Sequence, residues 1–535
     1  MTRRVEISKR LVLINSTSSL VNMLLNMSVL IWLQQYLLRH ITAEEYSLLP
    51  VLYSVMMFAP LVTIILAGGL GRYVVEAHAR EDDERVTMIV STMFPILSAA
   101  GLLFLFGGSI LAWHINTILK IAPDRVWDAR IMMAILMFSA AVRLPLAPFS
   151  VGLYARQKFV LQNLIGVGTE IFRLALLFFF LLAVSTRILW VVTAAVLAEM
   201  LNLAITTIVS CRLLPTLRFR RESINWGIAR ELTSFGGLDF ISSVANTIRT
   251  SADPIILNRF ATAFDVTCFA LGSMPARQVE RVFLTLRGPL SPALTAMHAA
   301  NDKAALANVY VRGGRLALWA SLLFAIPGII YSKEIITLYV GAQYLPAAIV
   351  MMLLLIMFPL AYGNTMLPQI ASAKADLRPF TIRTVAMNTA NLALTLYLVG
   401  VLRLGAIGSA LGTMIAMSFV YPLFMWPLGR RMTDVSIGRW CRETVFPGML
   451  PGSAGTILWI PLKQMLHPDT WLKLGLCVAG GCIAYFGILL SVALRPSDRE
   501  DLGRLASRFP QRVFSHRRTS EASTRADGRE SSDQT

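Results

Sequence analysis

The sequence predicts an all-α polytopic membrane protein with about 14 transmembrane helices, arranged as two six-helix lobes related by a parallel repeat, plus two C-terminal helices. Composition is the first indication, because 56% of the 535 residues are hydrophobic and 15% are charged, whereas soluble proteins carry about 25% charged residues. The second is that apolar residues gather into stretches of about twenty, the length that crosses a ~30 Å hydrocarbon core. The third is a polar pattern in the first stretch that recurs in the seventh.

The predicted spans are apolar stretches separated by polar breaks. They cover residues 11–38, 46–70, 87–115, 131–154, 160–184, 187–210, 235–258, 266–290, 314–332, 346–366, 381–401, 404–428, 444–463 and 474–494. The eighth carries Arg277, Glu280, Arg281 and Arg287 and is a poor candidate by hydropathy alone. We retain it because its omission would move every later basic loop to the other side of the membrane. A span with these charges must face protein or water rather than lipid.

Basic residues predict the orientation. The chain has 49 Lys and Arg against 31 Asp and Glu, a formal charge of +18, and most of the basic residues fall in alternate loops and in the tail. Because cytoplasmic loops carry the excess of Lys and Arg, we expect both termini to be cytoplasmic. This orientation accounts for the charge without a nucleic-acid partner.

An internal repeat predicts two lobes. One pair of matching segments is Asn15-x-x-Ser18-Ser19-Leu20-Val21-Asn22 and Asp239-x-x-Ser242-Ser243-Val244-Ala245-Asn246. The turns after these helices also match, as Arg39-x-x-Thr42-Ala43-x-Glu45-Tyr46 and Arg259-x-x-Thr262-Ala263-x-Asp265-Val266. Six helices separate the copies, so both first helices run in one direction and the repeat is parallel. Polar stripes also hold neighbouring helices together, but two at corresponding places favour a shared cavity.

The repeat and the breaks divide the chain into five parts. They are an N-terminal lobe at 1–210, a cytoplasmic linker at 211–234, a C-terminal lobe at 235–428, two further helices at 429–495, and a tail at 496–535. In the tail, a capping-box pattern and an apolar face predict a short amphipathic helix on the inner membrane surface. The polar composition beyond it predicts disorder.

Ten Asp, Glu and Arg residues lie in the interior of the predicted spans, away from the span ends. They are Arg143, Glu170, Arg173, Glu199, Asp239, Arg249, Asp253, Arg277, Glu280 and Arg281. Three pairs at helical spacing can form ion pairs that lower the cost of insertion: Glu170 with Arg173, Arg249 with Asp253, and Glu280 with Arg277.

The other in-span charges lack a partner at helical spacing. Arg143 and Arg281 have no obvious acidic neighbour and are candidates for binding an anion, because guanidinium groups match phosphate oxygens. Glu199 and Asp239 have no basic neighbour, so they either bind a proton or Na⁺ or are kept neutral by burial.

Several motifs of other functional classes are absent from the sequence. There is no G-x-x-x-x-G-K-[ST] loop for ATP, no H-E-x-x-H metal motif and no G-x-S-x-G elbow. The five cysteines have no CxxC spacing or pairing pattern. We therefore expect no cofactor and no metal. The short predicted outer loops also disfavour an enzyme, such as a membrane glycan polymerase or ligase.

Three segments carry a resemblance to a known family. The first is the turn Lys333-Glu334-Ile335-Ile336-Thr337-Leu338-Tyr339-Val340-Gly341-Ala342-Gln343-Tyr344. The second begins at Asn388-x-x-Asn391 and continues through Gly400 and Gly405-Ala406-Ile407-Gly408 to Gly412. The third is Asp253-Pro254-Ile255-Ile256-Leu257. Together they resemble bacterial polysaccharide flippases of the Wzx type, in the multidrug/oligosaccharidyl-lipid/polysaccharide exporter (MOP) superfamily. Many of these are described with twelve helices, whereas fourteen are predicted here, as in the related lipid II flippases.

The resemblance implies a secondary transporter that flips a polyprenyl-pyrophosphate-linked oligosaccharide across the bacterial inner membrane by alternating access. Its product would enter exopolysaccharide, O-antigen or capsule biosynthesis, with a polymerase and export machinery as partners. Within this interpretation, phosphate or acidic sugar is bound by Arg143, Arg249, Arg277 and Arg281. Neutral sugar is bound by Asn15, Asn22 and Asn246. The candidates for ion coupling are Glu199, Asp239 and Asp253.

Other functions stay open at this point. A lipid II flippase and a cation-coupled drug exporter belong to the same superfamily, although five in-span arginines argue against a cavity for cationic drugs. A structural partner in a polysaccharide assembly complex would differ from a transporter by retaining full export activity after its cavity arginines are replaced.

Overall fold

Helices joined by short turns make up the protein. The computed structural model describes residues 27–67, 70–156, 158–235, 237–287, 290–374 and 376–494, and no strand occurs in these ranges. Eleven helical segments within them are long and apolar enough to cross a membrane. With the helix at 27–40 and the charged helices Gly237–Phe260 and Ala263–Arg287, the described residues contain one helix for each predicted span.

We number these helices in chain order. They are α1 (27–40), α2 (Ala43–Leu66), α3 (Asp83–Trp113), α4 (Pro123–Ala155), α5 (Phe159–Val184), α6 (Ile188–Leu213), α7 (Gly237–Phe260), α8 (Ala263–Arg287), α9 (Lys303–Ile330), α10 (Ala342–Tyr362), α11 (Arg378–Val401), α12 (Gly405–Thr433), α13 (Ile437–Leu466) and α14 (Trp471–Ala493). The prediction of an all-α membrane protein with about fourteen helices is confirmed. The predicted tail helix lies outside the described residues.

The doubtful eighth span is a continuous helix that crosses the protein. At its start, Val266 and Phe269 lie in an apolar cluster with residues of α2, α4 and α10. The next membrane helix, α9, begins at the opposite end, where Leu306 packs in a separate cluster, and it ends next to Tyr331. Because α9 starts at the far end, α8 must have crossed, as the parity of the basic loops predicted.

The matching turns of the repeat have the same local structure. Thr42 Oγ accepts a hydrogen bond from the Glu45 N–H at 3.2 Å at the start of α2. Thr262 Oγ accepts one from the Asp265 N–H at 3.1 Å at the start of α8. Both threonines therefore cap their helices, since a side-chain oxygen at this position satisfies an N–H that has no partner within the helix.

Each of the two acidic residues reaches a corresponding helix in its own half of the chain. Glu45 accepts a hydrogen bond from the Ile188 N–H at 2.9 Å, at the start of α6. Asp265 accepts one from the Ala406 N–H at 3.0 Å, at the start of α12. The second helix of each predicted lobe thus holds the sixth helix of the same lobe. This correspondence supports the parallel repeat, while the predicted domain boundaries stay a prediction.

Gly405 is required beside Asp265. Its φ is +54°, a left-handed conformation that favours glycine. A Cβ atom at this position would also collide with the Asp265 carboxylate. The glycine therefore permits both the turn into α12 and the close approach of the capping carboxylate.

We expect Glu45→Ala to destabilise the protein by about 2 to 3 kcal/mol, because the buried Ile188 N–H would lose its acceptor and Arg125 would lose its buried carboxylate partner. Arg125 would keep Asp124 and Asp128. Glu45 is buried and its carboxylate lies 2.9 Å from the Arg125 guanidinium. The neighbouring Glu44 is exposed, so Glu44→Ala is the matched control and should change the stability little. Denaturation midpoints in detergent measure both variants. Equal midpoints would contradict the role assigned to Glu45.

The two halves of the chain meet in an apolar cluster at one end of the helices, which we call the joined end. Leu52 of α2 and Met133 of α4 pack there in one cluster with Leu257 of α7, Val266 of α8 and Val350 of α10. At the opposite end the described apolar residues form separate clusters. One contains Val74 and Val90 of the first half, and another contains residues of the second half.

Polar contacts cross between the halves at the joined end. The buried Asn258 of α7 accepts a hydrogen bond from the Lys120 N–H at 2.9 Å and donates one to the Lys120 carbonyl at 3.1 Å. Thr267 of α8 donates a hydrogen bond to the carbonyl of Ala43 at 2.9 Å. The joined end is therefore fixed by side chains of the second half that bond to the backbone of the first, as well as by apolar packing.

The segment between the halves is attached to α3. The Arg220 N–H donates to Ser91 Oγ at 2.8 Å, and the Asn225 N–H donates to Thr92 Oγ at 2.9 Å. Thr87 donates to the carbonyl of Thr216 at 3.0 Å. Three hydroxyls on α3 thus satisfy a stretch of backbone that forms little regular structure, which holds the connection against the first half.

The last two helices, α13 and α14, are held by α9 and the turn that follows it. Tyr331 donates a hydrogen bond to the Trp459 carbonyl at 2.8 Å, and Tyr485 donates one to the Trp319 carbonyl at 2.6 Å. Tyr331, Trp459 and Tyr485 are also fully buried in one apolar cluster. These contacts attach α13 and α14 to the second half.

Candidate functional site

An ion pair joins α4 to α6 in the first half. Arg143 contacts the Glu199 carboxylate, and Ser139 donates a hydrogen bond to the same carboxylate at 3.0 Å. The Arg143 side chain is 55% exposed and that of Glu199 is 36% exposed. Spacing along a single helix had predicted no partner for either residue. The structure corrects this, because the partner lies on the neighbouring helix.

A second charged pair lies on α5. Glu170 and Arg173 form the ion pair that their spacing predicted, and both side chains are largely covered. Tyr53 of α2 lies within electrostatic range of both Arg173 and Glu199. The charges of α4, α5 and α6 therefore belong to one region of the first half.

In the second half, an ion pair connects α7 to α8. Arg249 lies 3.1 Å from Glu280 and also donates a hydrogen bond to Asn246 at 3.2 Å. Both charged side chains are partly exposed, and Asn246 is exposed. The sequence predicted two ion pairs within single helices, Arg249 with Asp253 and Glu280 with Arg277. In the structure, Arg249 and Glu280 instead pair with each other, across two helices.

Asp253 has a different environment from the paired residues. It is buried and accepts a hydrogen bond from Ser409 of α12 at 2.8 Å. Thr395 of α11 lies beside the same carboxylate, and the charges of Arg277 and Arg249 act on it. Asp253 is therefore a buried carboxylate beside hydroxyls from two other helices, with positive charge nearby.

Two arginines of α8 are exposed where the halves approach each other. The Arg277 guanidinium interacts with the charges of Asp253, Glu280, Arg249 and Arg281, and it forms no ion pair with the described residues. Arg277 also acts electrostatically on Tyr46 of α2, in the other half of the chain. Arg281 is exposed one helical turn further along α8.

Three predicted site residues cannot be placed. Asn15 and Asn22 lie outside the described residues. Asp239 lies in α7, but the structure describes only its backbone. In the described part of the chain, no group of three or more His, Cys, Asp or Glu side chains could hold a metal ion.

Sequence reasoning missed the contacts between helices. Glu45 and Asp265 were noted as part of the repeat, but their bonds to α6 and α12 were not foreseen. Tyr53 and Asn258 carried no sequence indication. An asparagine close to the polar end of an apolar helix, as at 258, could have indicated a contact between helices.

The arrangement places accessible charges in the middle of membrane-length helices. Arg143 and Glu199 come from the first half, whereas Arg249, Arg277, Glu280 and Arg281 come from the second. Charged side chains at such depth require water, protein or a polar ligand around them. A cleft between the halves would meet that requirement, and it could bind an anion without a bound metal.

Comparisons with known proteins identify the family and the fold. The sequence matches the family model described as "Polysaccharide biosynthesis protein" over residues 8–298. A search of curated proteins found no match to the sequence. The fold is similar to that of "Lipid II flippase MurJ, inward closed conformation", with 14% sequence identity and a TM-score of 0.63, covering 89% of this chain and 97% of that chain.

Two transporters have similar folds. One is a multidrug resistance MATE family transporter of the MOP superfamily in an inward-facing conformation, with 12% identity, a TM-score of 0.60, and coverage of 78% of this chain and 96% of that chain. The other is a MOP superfamily transporter from Pyrococcus furiosus, with 13% identity, a TM-score of 0.57, and coverage of 80% and 99%. These neighbours are flippases and transporters rather than enzymes. The chain belongs to the polysaccharide biosynthesis protein family and has the fold of MOP-superfamily flippases and transporters.

Proposed function

We propose that this protein flips a polyprenyl-pyrophosphate-linked oligosaccharide across the bacterial inner membrane by alternating access. The observation that carries the proposal is the exposure of Arg277 and Arg281 on α8, at a place where Arg277 also acts on Tyr46 of the other half. A pyrophosphate needs positive charge and a polyprenyl tail needs lipid. A cleft between two membrane-embedded halves offers both, and the family match adds polysaccharide biosynthesis as the context.

Within this proposal, the arginines bind the head group. Arg277 is the main contact, because it forms no ion pair with the described residues, whereas Arg143 and Arg249 have acidic partners. Arg281 is assigned to the same head group because it is exposed one helical turn further along α8. Asn246 offers an exposed amide for sugar hydroxyls, and Asn15 and Asn22 are assigned the same task from their pattern in the sequence. Phosphate held by guanidinium groups would leave the tail in the bilayer while the sugars cross.

Movement of the two halves would alternate access to the cleft. The shared apolar cluster holds them together at one end, and each half has its own clusters at the other. We assign the joined end to the periplasm and both termini to the cytoplasm, following the basic loops. The released product would pass to a polysaccharide polymerase and export machinery.

A coupled cation would supply the driving force. Asp253 is our first candidate for its site, because a buried carboxylate next to Ser409 and Thr395 offers the oxygen ligands that Na⁺ or a proton requires. Glu199 is the candidate in the first half, where it pairs with Arg143. If a bound anion attracted Arg143 away, the Glu199 carboxylate would lose its positive partner and could bind a cation. Asp239 is retained from its position in the sequence repeat.

Lipid II is the second candidate cargo. One observation favours it, because this chain aligns with 97% of the length of the lipid II flippase that has a similar fold. A drug exporter is disfavoured because the accessible in-membrane charges include several arginines. For the Pyrococcus furiosus transporter, a binding pocket of reverse polarity is described as suggesting a different function.

Reconstitution into liposomes tests the proposal. Vesicles would contain the purified protein and a polyprenyl-pyrophosphate oligosaccharide, lipid II, or a fluorescent phospholipid. An impermeant glycan-modifying enzyme then reports the head groups that reach the outer surface, with and without a proton or sodium gradient. Faster flipping of the oligosaccharide lipid than of the other two supports the proposal, whereas lipid II as the preferred cargo supports the second candidate. No flipping of either, or equal flipping of the phospholipid, would contradict it.

A further inference from the structure

A crevice opens at the joined end, between the two halves. It has a volume of about 460 Å³ and is lined by Ser47 and Leu48 of α2, the segment 116–122, and Asn258, Arg259 and Ala261 of the second half. That volume is in the range of sites that hold small molecules. Because one wall belongs to each half, the crevice has this shape only while the halves stay joined.

Two cations line the crevice, one from each half. Lys120 comes from the first half and Arg259 from the second, and both are exposed. Their backbones are neighbours, because Asn258, next to Arg259 in the chain, is hydrogen bonded to both the N–H and the carbonyl of Lys120. Within the described residues, neither side chain forms an ion pair.

None of the described carboxylates at the crevice forms an ion pair with either cation. Arg125 also lines it, and this guanidinium pairs with Glu45, Asp124 and Asp128. Glu44 is the acidic residue on the crevice wall, and it is not paired with Lys120 or Arg259. Two positive groups, one from each half, therefore line the same crevice, and like charges at short range repel.

We infer that this crevice binds a phosphate-class oxyanion, which bridges Lys120 and Arg259 and holds the two halves together at the joined end. An anion between the two cations would replace their repulsion by two attractive contacts. Binding would then favour the conformation with the joined end closed, because an anion can shift a conformational equilibrium only through its different affinity for the two states. The ligand is either free phosphate or a phosphate headgroup of a lipid.

Distance measurements between spin labels test this inference. Labels at His114→Cys and Phe264→Cys, two exposed positions on opposite sides of the crevice, report whether the halves are joined. The background lacks the five native cysteines. In detergent, chloride is replaced by inorganic phosphate at constant ionic strength. We expect a saturable rise in the population with the short distance.

Variants identify the site. Lys120→Gln and Arg259→Gln should each weaken the phosphate response about fivefold, the size of one exposed ionic contact, and Lys120→Arg should retain it. Lys333→Gln removes an exposed cation outside the crevice and should leave the response unchanged. Melting midpoints confirm that all variants are folded. An equal response in wild type and in the Lys120→Gln/Arg259→Gln double variant would overturn the inference, as would the absence of any saturable response.

A second arm separates the two sources of phosphate. Nanodiscs of phosphatidylglycerol are compared with nanodiscs of phosphatidylcholine, both without free phosphate. A shift in phosphatidylglycerol that the double variant abolishes assigns the site to a lipid headgroup, whereas a response to free phosphate alone assigns it to a soluble anion. No oligosaccharide is present in either arm, so failure here leaves the proposed flipping activity untouched.

Discussion

Replacing Arg277 with alanine is expected to lower the rate of oligosaccharide-lipid flipping by about tenfold to a hundredfold, the cost of losing a hydrogen bond to a charged group. Arg277 is exposed, forms no ion pair with the described residues, and lies within electrostatic range of Tyr46 in the other half. The assay is flipping in liposomes, corrected for the amount of inserted protein.

Two further variants interpret that result. Arg277→Lys keeps the positive charge but loses the two-pronged geometry, so its rate should lie between those of wild type and Arg277→Ala. Arg187→Ala removes an exposed arginine in the turn between α5 and α6, away from the α8 arginines, and should flip at the wild-type rate. A wild-type rate for Arg277→Ala would remove this residue from the head-group site.

Replacing Asp253 with asparagine is expected to abolish the stimulation of flipping by a cation gradient. One charge that crosses a potential of ~100 mV gains ~2.3 kcal/mol, so the stimulation lost should reach about fiftyfold at that potential. The reason is that asparagine keeps the size of the side chain and a bond with Ser409 but provides no negative charge for a cation. Without a gradient, the variant and the wild type should flip at similar rates.

The controls for Asp253 separate charge from packing. Ser409→Ala removes one neighbour of the carboxylate and should weaken the cation dependence without abolishing it. Asp376→Asn changes an exposed acidic residue in the turn before α11 and should have no effect. Full gradient stimulation in Asp253→Asn would exclude this carboxylate as the coupling site and leave Glu199 and Asp239 as candidates.

Much of the fold could be predicted because the membrane imposes simple rules on the sequence. Apolar stretches of sufficient length mark the spans, and the alternation of basic loops retained α8 despite its charged residues. The repeat of Thr42-x-x-Glu45 as Thr262-x-x-Asp265 predicted equivalent turns, which the structure contains. These features depend on local sequence and on parity, which are visible in a single chain.

The ion pairs of the candidate site could not be predicted in the same way. Spacing along one helix identified Glu170 with Arg173 correctly, but it left Arg143 and Glu199 without partners. Which residues meet across helices depends on the rotation and depth of each helix, which packing determines. The bonds from Glu45 to Ile188 and from Asn258 to Lys120 likewise join residues more than 130 positions apart.

The central claim is that the arginines of α8 border an aqueous cleft between the two halves. Cysteines placed singly at 277 and 281 in a cysteine-free background, in inverted and right-side-out vesicles, test it with a membrane-impermeant thiol reagent. Labelling at both positions from one side of the membrane, blocked by added oligosaccharide lipid, is the expected result. If neither position reacts from either side while a cysteine at exposed Lys333 does, the α8 arginines do not face water and the cleft does not exist.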